Sequence, residues 1–109
     1  MVKYVYKLNR PLHILTICGV GMGSSLILRM TTESVVKELG IPAKVEHGVL
    51  TEAKAAGADV ILAQPMHAEE LKDAAPIVLG IKQFVNKKEI REKLVKALIE
   101  KGWLEEVAE

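Results

Sequence analysis

Apolar and polar positions along the chain fall into two periods. Two runs, His13-Ile14-Leu15-Thr16-Ile17 and Asp59-Val60-Ile61-Leu62-Ala63, are nearly continuous and apolar, and Ile77-Val78-Leu79-Gly80-Ile81 follows Pro76 in the same style. Continuous runs of this length suit strands covered on both faces, as in a parallel sheet. A further run, Ala43-Lys44-Val45-Glu46-His47, alternates apolar with polar, the pattern of a strand wet on one side. It is therefore expected at the sheet's edge.

Between these runs the period lengthens. Ser24 to Leu39 reads as a helix whose Ile27, Met30, Thr31, Ser34 and Val35 make a partly apolar stripe, with Gly40 stopping it and Pro42 just beyond. Met30 is expected in the core on this spacing. A last helix should follow Asn86, which with Glu89 three residues on makes a capping pair. Its inner stripe would be Ile90, Leu94, Ala97, Leu98 and Lys101, and Gly102 would end it. Thr51–Ala56 reads as a helical turn and Met66–Ala74 as a short helix.

This succession predicts an α/β fold: an open four-stranded parallel sheet flanked by helices in three layers, of the phosphotyrosine-phosphatase or Rossmann-like kind. With the alternating run at the edge, the predicted strand order is 2-1-3-4. Residues 1–12 stand apart as an amino-terminal leader, either loose or adding a strand through Val2, Tyr4, Tyr6 and Leu8, and residues 13–109 form the main domain.

Composition narrows the function. Fifteen Lys and Arg against fourteen Asp and Glu give a formal charge of +1, which offers no nucleic-acid surface and no polybasic membrane patch. No apolar run approaches the roughly 18 residues of a membrane span, and residues 1–12 lack the apolar stretch of a secretion signal. A single cysteine excludes an internal disulfide and suits a reducing compartment, so the expected location is the cytoplasm, without membrane insertion. His13, His47 and His67 lack metal-site spacing, so neither metal nor cofactor is expected.

That lone cysteine carries the chemistry. Cys18 ends the first run and opens Cys18-Gly19-Val20-Gly21-Met22-Gly23-Ser24-Ser25. Ligands of open parallel sheets bind at the carboxyl ends of strands, where the strand order reverses. A strand-to-helix turn there offers unpaired N–H groups and the positive end of a helix dipole to an anion. Gly19, Gly21 and Gly23 let the backbone wrap that anion closely, while Ser24 and Ser25 add hydroxyl donors. The same field favours the thiolate, the nucleophilic form of cysteine. Cys18 is thus a candidate nucleophile for phosphate, with residues 19–25 as its cradle. The plainer reading is a small buried residue at a strand end.

The stretch from Ile14 through Cys18-Gly19-Val20-Gly21-Met22-Gly23-Ser24-Ser25 to Met30 resembles the IIB components of the bacterial phosphoenolpyruvate-dependent sugar phosphotransferase system (PTS). The ascorbate-type (L-ascorbate/pentitol) branch is nearest, with the galactitol-type branch beside it, and Gly57–Ala63 and the terminal helix add weaker likeness over residues 13–101. The resemblance implies a phosphotransferase relay. Cys18 would take a phosphoryl group from a phosphohistidine of a IIA protein and pass it to a sugar held by the IIC membrane transporter, bringing the protein transiently to the inner face of the membrane. Residues 19–25 match the family's phosphate loop.

Other residues have a chemical and a plain reading. His67, after Pro65-Met66, should share an edge with Cys18 and is the candidate auxiliary residue, able to bond the phosphoryl group or steady the thiolate; otherwise it is an exposed loop histidine. His47 is read in the same two ways, and His13 as structural. Arg29 could face an acidic patch on a partner or simply be solvated. Leu26, Met30 and Met22 could form an apolar docking rim.

Two other functions remain on the sequence. A small phosphatase also uses a cysteine in a phosphate loop, but wants an arginine at the loop's end, where this chain has Ser24 and no arginine before Arg29. A nucleotide-binding module is disfavoured because G-x-G-x-G is not the dinucleotide spacing and no lysine follows.

Overall fold

The computed structural model describes residues 2–17, 22–83 and 85–108. Strand β1 (Val2–Tyr6) is followed by β2 (Leu12–Ile17), helix α1 (Met22–Leu39), β3 (Ala43–Gly48), a 3-10 turn (Leu50–Ala55) and β4 (Val60–Ala63). Helix α2 (Pro65–Glu70), β5 (Ile77–Gly80), α3 (Lys87–Lys101) and β6 (Leu104–Ala108) complete the chain. The main sheet is parallel throughout, in the order β3-β2-β4-β5, which is the predicted 2-1-3-4. β2 therefore lies between β3 and β4, and the strand order reverses beside it.

Alternation along β2 and β4 divides the core between two faces. Leu12, Ile14, Val60 and Leu62 join Leu28, Val35, Val36, Ile90, Leu94 and Leu98 under α1 and α3. Leu15, Ile17, Ile61 and Ala63 pack with Ala53, Ala58 and Leu71 beneath the 3-10 turn and α2. Both faces are covered, which explains why these strands read as unbroken apolar runs.

The inner stripe of α1 differs from the sequence expectation by one position. Leu28, Thr32, Val35 and Val36 are buried, whereas Ile27 is exposed and Met30 is 62% exposed. Thr32 occupies an inner position because its hydroxyl donates to the Leu28 carbonyl at 2.7 Å, so no polar group is left unpaired. On α3 the stripe is Ile90, Leu94, Val95 and Leu98, and Lys101 is exposed.

The capping pair is half as expected. Asn86 Oδ1 accepts from the Glu89 N–H at 3.2 Å. The Glu89 carboxylate reaches past Asn86 and accepts from the N–H groups of Lys82 (2.9 Å) and Gln83 (3.1 Å), and from Lys93 Nζ (2.8 Å). Gly102 ends α3 in the left-handed region, with φ at 77°.

β1 and β6 form an antiparallel ribbon apart from the main sheet, with Val2 opposite Ala108 and Tyr6 opposite Leu104. Tyr4, Tyr6, Trp103 and Leu104 pack the ribbon onto the α1/α3 core. A two-stranded ribbon is marginal alone and needs such a base. Arg10 then binds Asp59, just ahead of β4, through two hydrogen bonds of 2.6 and 2.7 Å.

Candidate functional site at the carboxyl edge of the sheet

All four parallel strands end on one edge, at Ile17, Gly48, Ala63 and Gly80. Cys18, Gly19, Val20 and Gly21 lie outside the described residues. They are the whole connection between the end of β2 and the start of α1, at the switch point of the sheet. Met22, Gly23, Ser24 and Ser25 belong to the first turn of α1, which starts two residues earlier than the sequence suggested.

Two histidines stand near the ends of the strands beside β2, one on β3 and one on the helix that follows β4. On one side, β3 places His47 opposite Thr16 and Gly48 opposite Ile17. Thr16 is buried, and its hydroxyl donates to the Glu46 carbonyl at 3.2 Å, fastening the end of β2 to β3. On the other side, α2 begins two residues after β4 and carries His67.

His67 is not the exposed loop residue of the plain reading. It is helical, its side chain is only 13% exposed, and its Nδ1 is buried. That nitrogen lies 3.9 Å from the Glu70 carboxylate and has no hydrogen-bond partner among the described residues. The start of α2 sits close on β5, since a Cβ on Gly80 would stand 3.1 Å from Pro65 Cα.

Arg29 is neither free nor merely solvated. Its Nε donates to Glu33 Oε1 at 2.8 Å, and its Nη1 lies 3.3 Å from His47 Nδ1. A guanidinium has only donors, so in this contact the His47 ring nitrogen is on the accepting side. The i,i+4 spacing of Arg29 and Glu33 was visible in the sequence, but the meeting with His47 depends on α1 lying over β3.

His13 is at the opposite edge, as expected, with Nε2 3.0 Å from Glu46 Oε1 but out of line for a hydrogen bond. Asp59 shares that edge and also accepts from the His13 N–H at 2.9 Å. The Arg10 guanidinium, helped by this N–H, holds the Asp59 carboxyl below its ordinary range against the opposing effect of burial.

Several large apolar side chains are exposed on the elements that adjoin the strand ends. Leu26, Ile27 and Met30 are exposed on the first half of α1, Val49 follows β3, Met66 follows β4 and Val85 follows β5. Of the residues read as a docking rim, Leu26 and Met30 are exposed, and the Met22 side chain lies outside the description. Among the described residues, no group of three His, Cys, Asp or Glu could hold a metal ion, and no helix is long and apolar enough to cross a membrane.

Beyond the carboxyl ends of the strands, where the order of an open parallel α/β sheet reverses, proteins of this architecture bind their ligands, anions among them. Comparison with known proteins is more specific. A family model described as "PTS system, Lactose/Cellobiose specific IIB subunit" matches residues 13–96, and the chain belongs to this family of PTS IIB subunits. It is 33% identical over 93 residues to the "Ascorbate-specific PTS system EIIB component" of Mycoplasma pneumoniae (strain ATCC 29342 / M129 / Subtype 1), covering 83% of this chain and 98% of that protein. It is 30% identical over 90 residues to the protein of the same name from Shigella dysenteriae serotype 1 (strain Sd197), covering 80% and 89%. The fold is similar to that of a solved lactose-specific IIB component domain from Streptococcus pneumoniae, with a TM-score of 0.58, 18% identity, and coverage of 83% and 97%. IIB domains are phosphotransferase components that work with IIA and IIC partners.

Proposed function

We propose that this IIB protein is a phosphocarrier whose carrying atom is Cys18 Sγ, serving an ascorbate-type sugar system. The first half-reaction is attack of the Cys18 thiolate on the phosphorus of a IIA phosphohistidine. The S–P bond forms as the N–P bond breaks, and the electron pair of that bond returns to the donor's imidazole. In the second half-reaction a sugar hydroxyl held by IIC attacks the same phosphorus. The O–P bond forms, the S–P bond breaks, the thiolate is regenerated, and the hydroxyl proton passes to solvent. The work takes place in the cytoplasm, and at the inner face of the membrane while IIC is engaged.

One observation carries this reading: the run Cys18-Gly19-Val20-Gly21-Met22-Gly23-Ser24-Ser25 spans the junction of β2 and α1, where the strand order reverses. Amides of Gly19 to Ser25 would stabilise the phosphoryl oxygens, while donor and acceptor dock in turn on the apolar rim of Leu26, Ile27, Met30 and Met66. The ascorbate assignment rests on the two relatives, both so named.

A small-phosphatase activity is the reading to separate from this one. The test is incubation with an aryl phosphate beside incubation with phosphorylated IIA. A carrier takes one phosphoryl group per chain from IIA and does not turn over the aryl ester. Sustained release of inorganic phosphate from the aryl ester contradicts the proposal.

A further inference from the structure

A groove of about 650 Å³ lies between the outer side of α3, the end of α1 and the β1/β6 ribbon. Its apolar lining is Tyr4, Leu39, Val95 and Ile99, of which Ile99, 36% exposed, is the most open to solvent. Leu39 is the last of the 18 residues of α1, about 25 Å along that helix from its first turn, so the groove is well away from the carboxyl edge of the sheet. Tyr4 and Ile99 lie outside the stretch matched by the family model, so the groove is not built from the family's shared residues alone.

A row of charge runs beside it. Lys88, Glu92, Lys96 and Glu100 stand four residues apart on α3, and all four are exposed. Residues so spaced are neighbours on a helix and often pair with one another. Here they do not. Among the described residues the ion pairs of α1 and α3 are Arg29–Glu33, Lys87–Glu38 and Lys93–Glu89, and none takes a member of the row.

The alternation of this row makes it complementary to its own reverse. Two α3 helices laid antiparallel about a twofold axis level with Leu94 bring Lys88 opposite Glu100 of the second copy, and Glu92 opposite its Lys96. Each contact then occurs twice, as twofold symmetry requires. A parallel, in-register arrangement would set like charge against like. The antiparallel one also carries Ile99 of each copy toward the first half of the other's α3, where Arg91 and Glu92 border the groove. A net charge of +1 opposes association little. We propose that this face is an interface with a second copy of the chain: a twofold dimer in which antiparallel α3 helices pair Glu92 with Lys96 and Lys88 with Glu100, and Ile99 of each copy seats in the groove of the other. The inference is independent of the chemistry at Cys18.

The test is sedimentation velocity of the full chain from micromolar to millimolar concentration. Wild type should pass from monomer to dimer, and less readily at high salt. Glu92→Lys and Lys96→Glu each set like charges together at both symmetry-related contacts and should raise the dissociation constant about tenfold or more. Both change exposed side chains, and circular dichroism melts check that they fold. Mixed in equal amounts, the two variants regain both opposite-charge contacts and should associate with each other as wild type does. The Glu92→Lys/Lys96→Glu double variant should associate with itself. A charge effect confined to one helix would not respond to mixing. Wild type that stays monomeric throughout, a dimer indifferent to both reversals, or single variants that do not recover on mixing would overturn the inference. So would a dimer lost in Met30→Ser but kept in both reversals, which would move the contact to the exposed apolar residues of α1.

Discussion

Arg10 and Asp59, forty-nine residues apart, meet through two hydrogen bonds of 2.6 and 2.7 Å. The carboxylate is 11% exposed while the guanidinium is 55% exposed, so the pair fastens a surface segment onto a largely buried acid. The Tyr6 hydroxyl donates to the Arg10 carbonyl at 2.6 Å, and the β1/β6 ribbon is thereby coupled to the start of β4.

The pH dependence of stability follows from this pair. The folded-state pKa of Asp59 is lowered, chiefly by Arg10, so its contribution is present above the ordinary carboxylate range near about 4 and is lost as pH falls through the lowered folded value. Arg10→Ala should therefore lower Tm at pH 7, and the gap from wild type should close as the pH falls below the ordinary carboxylate range and through the lowered value of Asp59. Thermal melts followed by circular dichroism across that range check it. A gap that does not change with pH would mean that Arg10 acts through packing alone.

Glu89 organises the segment after β5. Partial burial by itself would raise its carboxyl, but the Lys82 N–H, the Lys93 ammonium and the Gln83 N–H together hold it below its ordinary value. Asn86→Ala removes one cap bond and should cost about 1 kcal/mol. Glu89→Ala removes three acceptor contacts and should cost more, about 2 kcal/mol. Urea unfolding of both variants measures the order, and equal costs would contradict the hub role.

Two strand-end glycines should respond differently to alanine. At Gly80 a Cβ would meet the Pro65 backbone at 3.1 Å, so α2 itself must shift, for a loss of about 1 to 2 kcal/mol. At Gly48 the nearest atom, also at 3.1 Å, is Leu15 Cδ1, a side-chain end that can turn aside, so the change should stay within about 0.5 kcal/mol. Chemical denaturation of the two single variants decides it, and a Gly48→Ala loss as large as that of Gly80→Ala would overturn the comparison.

Met30 gives the plainest contrast between sequence and structure. Because it is 62% exposed, Met30→Ser should change stability by less than about 0.5 kcal/mol, whereas Leu94→Ala, in the core, should cost about 2 to 5 kcal/mol. A large loss on Met30→Ser would restore the core assignment.

The sheet was readable because burial on two faces leaves an unmistakable mark: β2 and β4 are unbroken apolar runs, and β3, with Lys44 and Glu46, alternates as an edge does. The inner face of α1 was not, because hydropathy ranks Met30 above Thr32 and cannot foresee that the Thr32 hydroxyl is satisfied by its own helix. β6 escaped notice because a strand containing Glu105 and Glu106 is recognisable only beside its partner, β1. At the candidate site, Cys18 and residues 19–25 are legible as a motif. The contact of Arg29 with His47 is not, since it joins residues eighteen apart whose meeting is decided by how α1 lies over β3.

The most direct measurement is the intact mass of the protein after incubation with phosphoenolpyruvate, the general phosphotransfer proteins and a IIA donor. Wild type should gain the mass of one phosphoryl group, mapped by fragmentation to Cys18, and Cys18→Ser should gain none. Undiminished labelling of Cys18→Ser, or a phosphoryl group mapped to any other residue, would contradict the account.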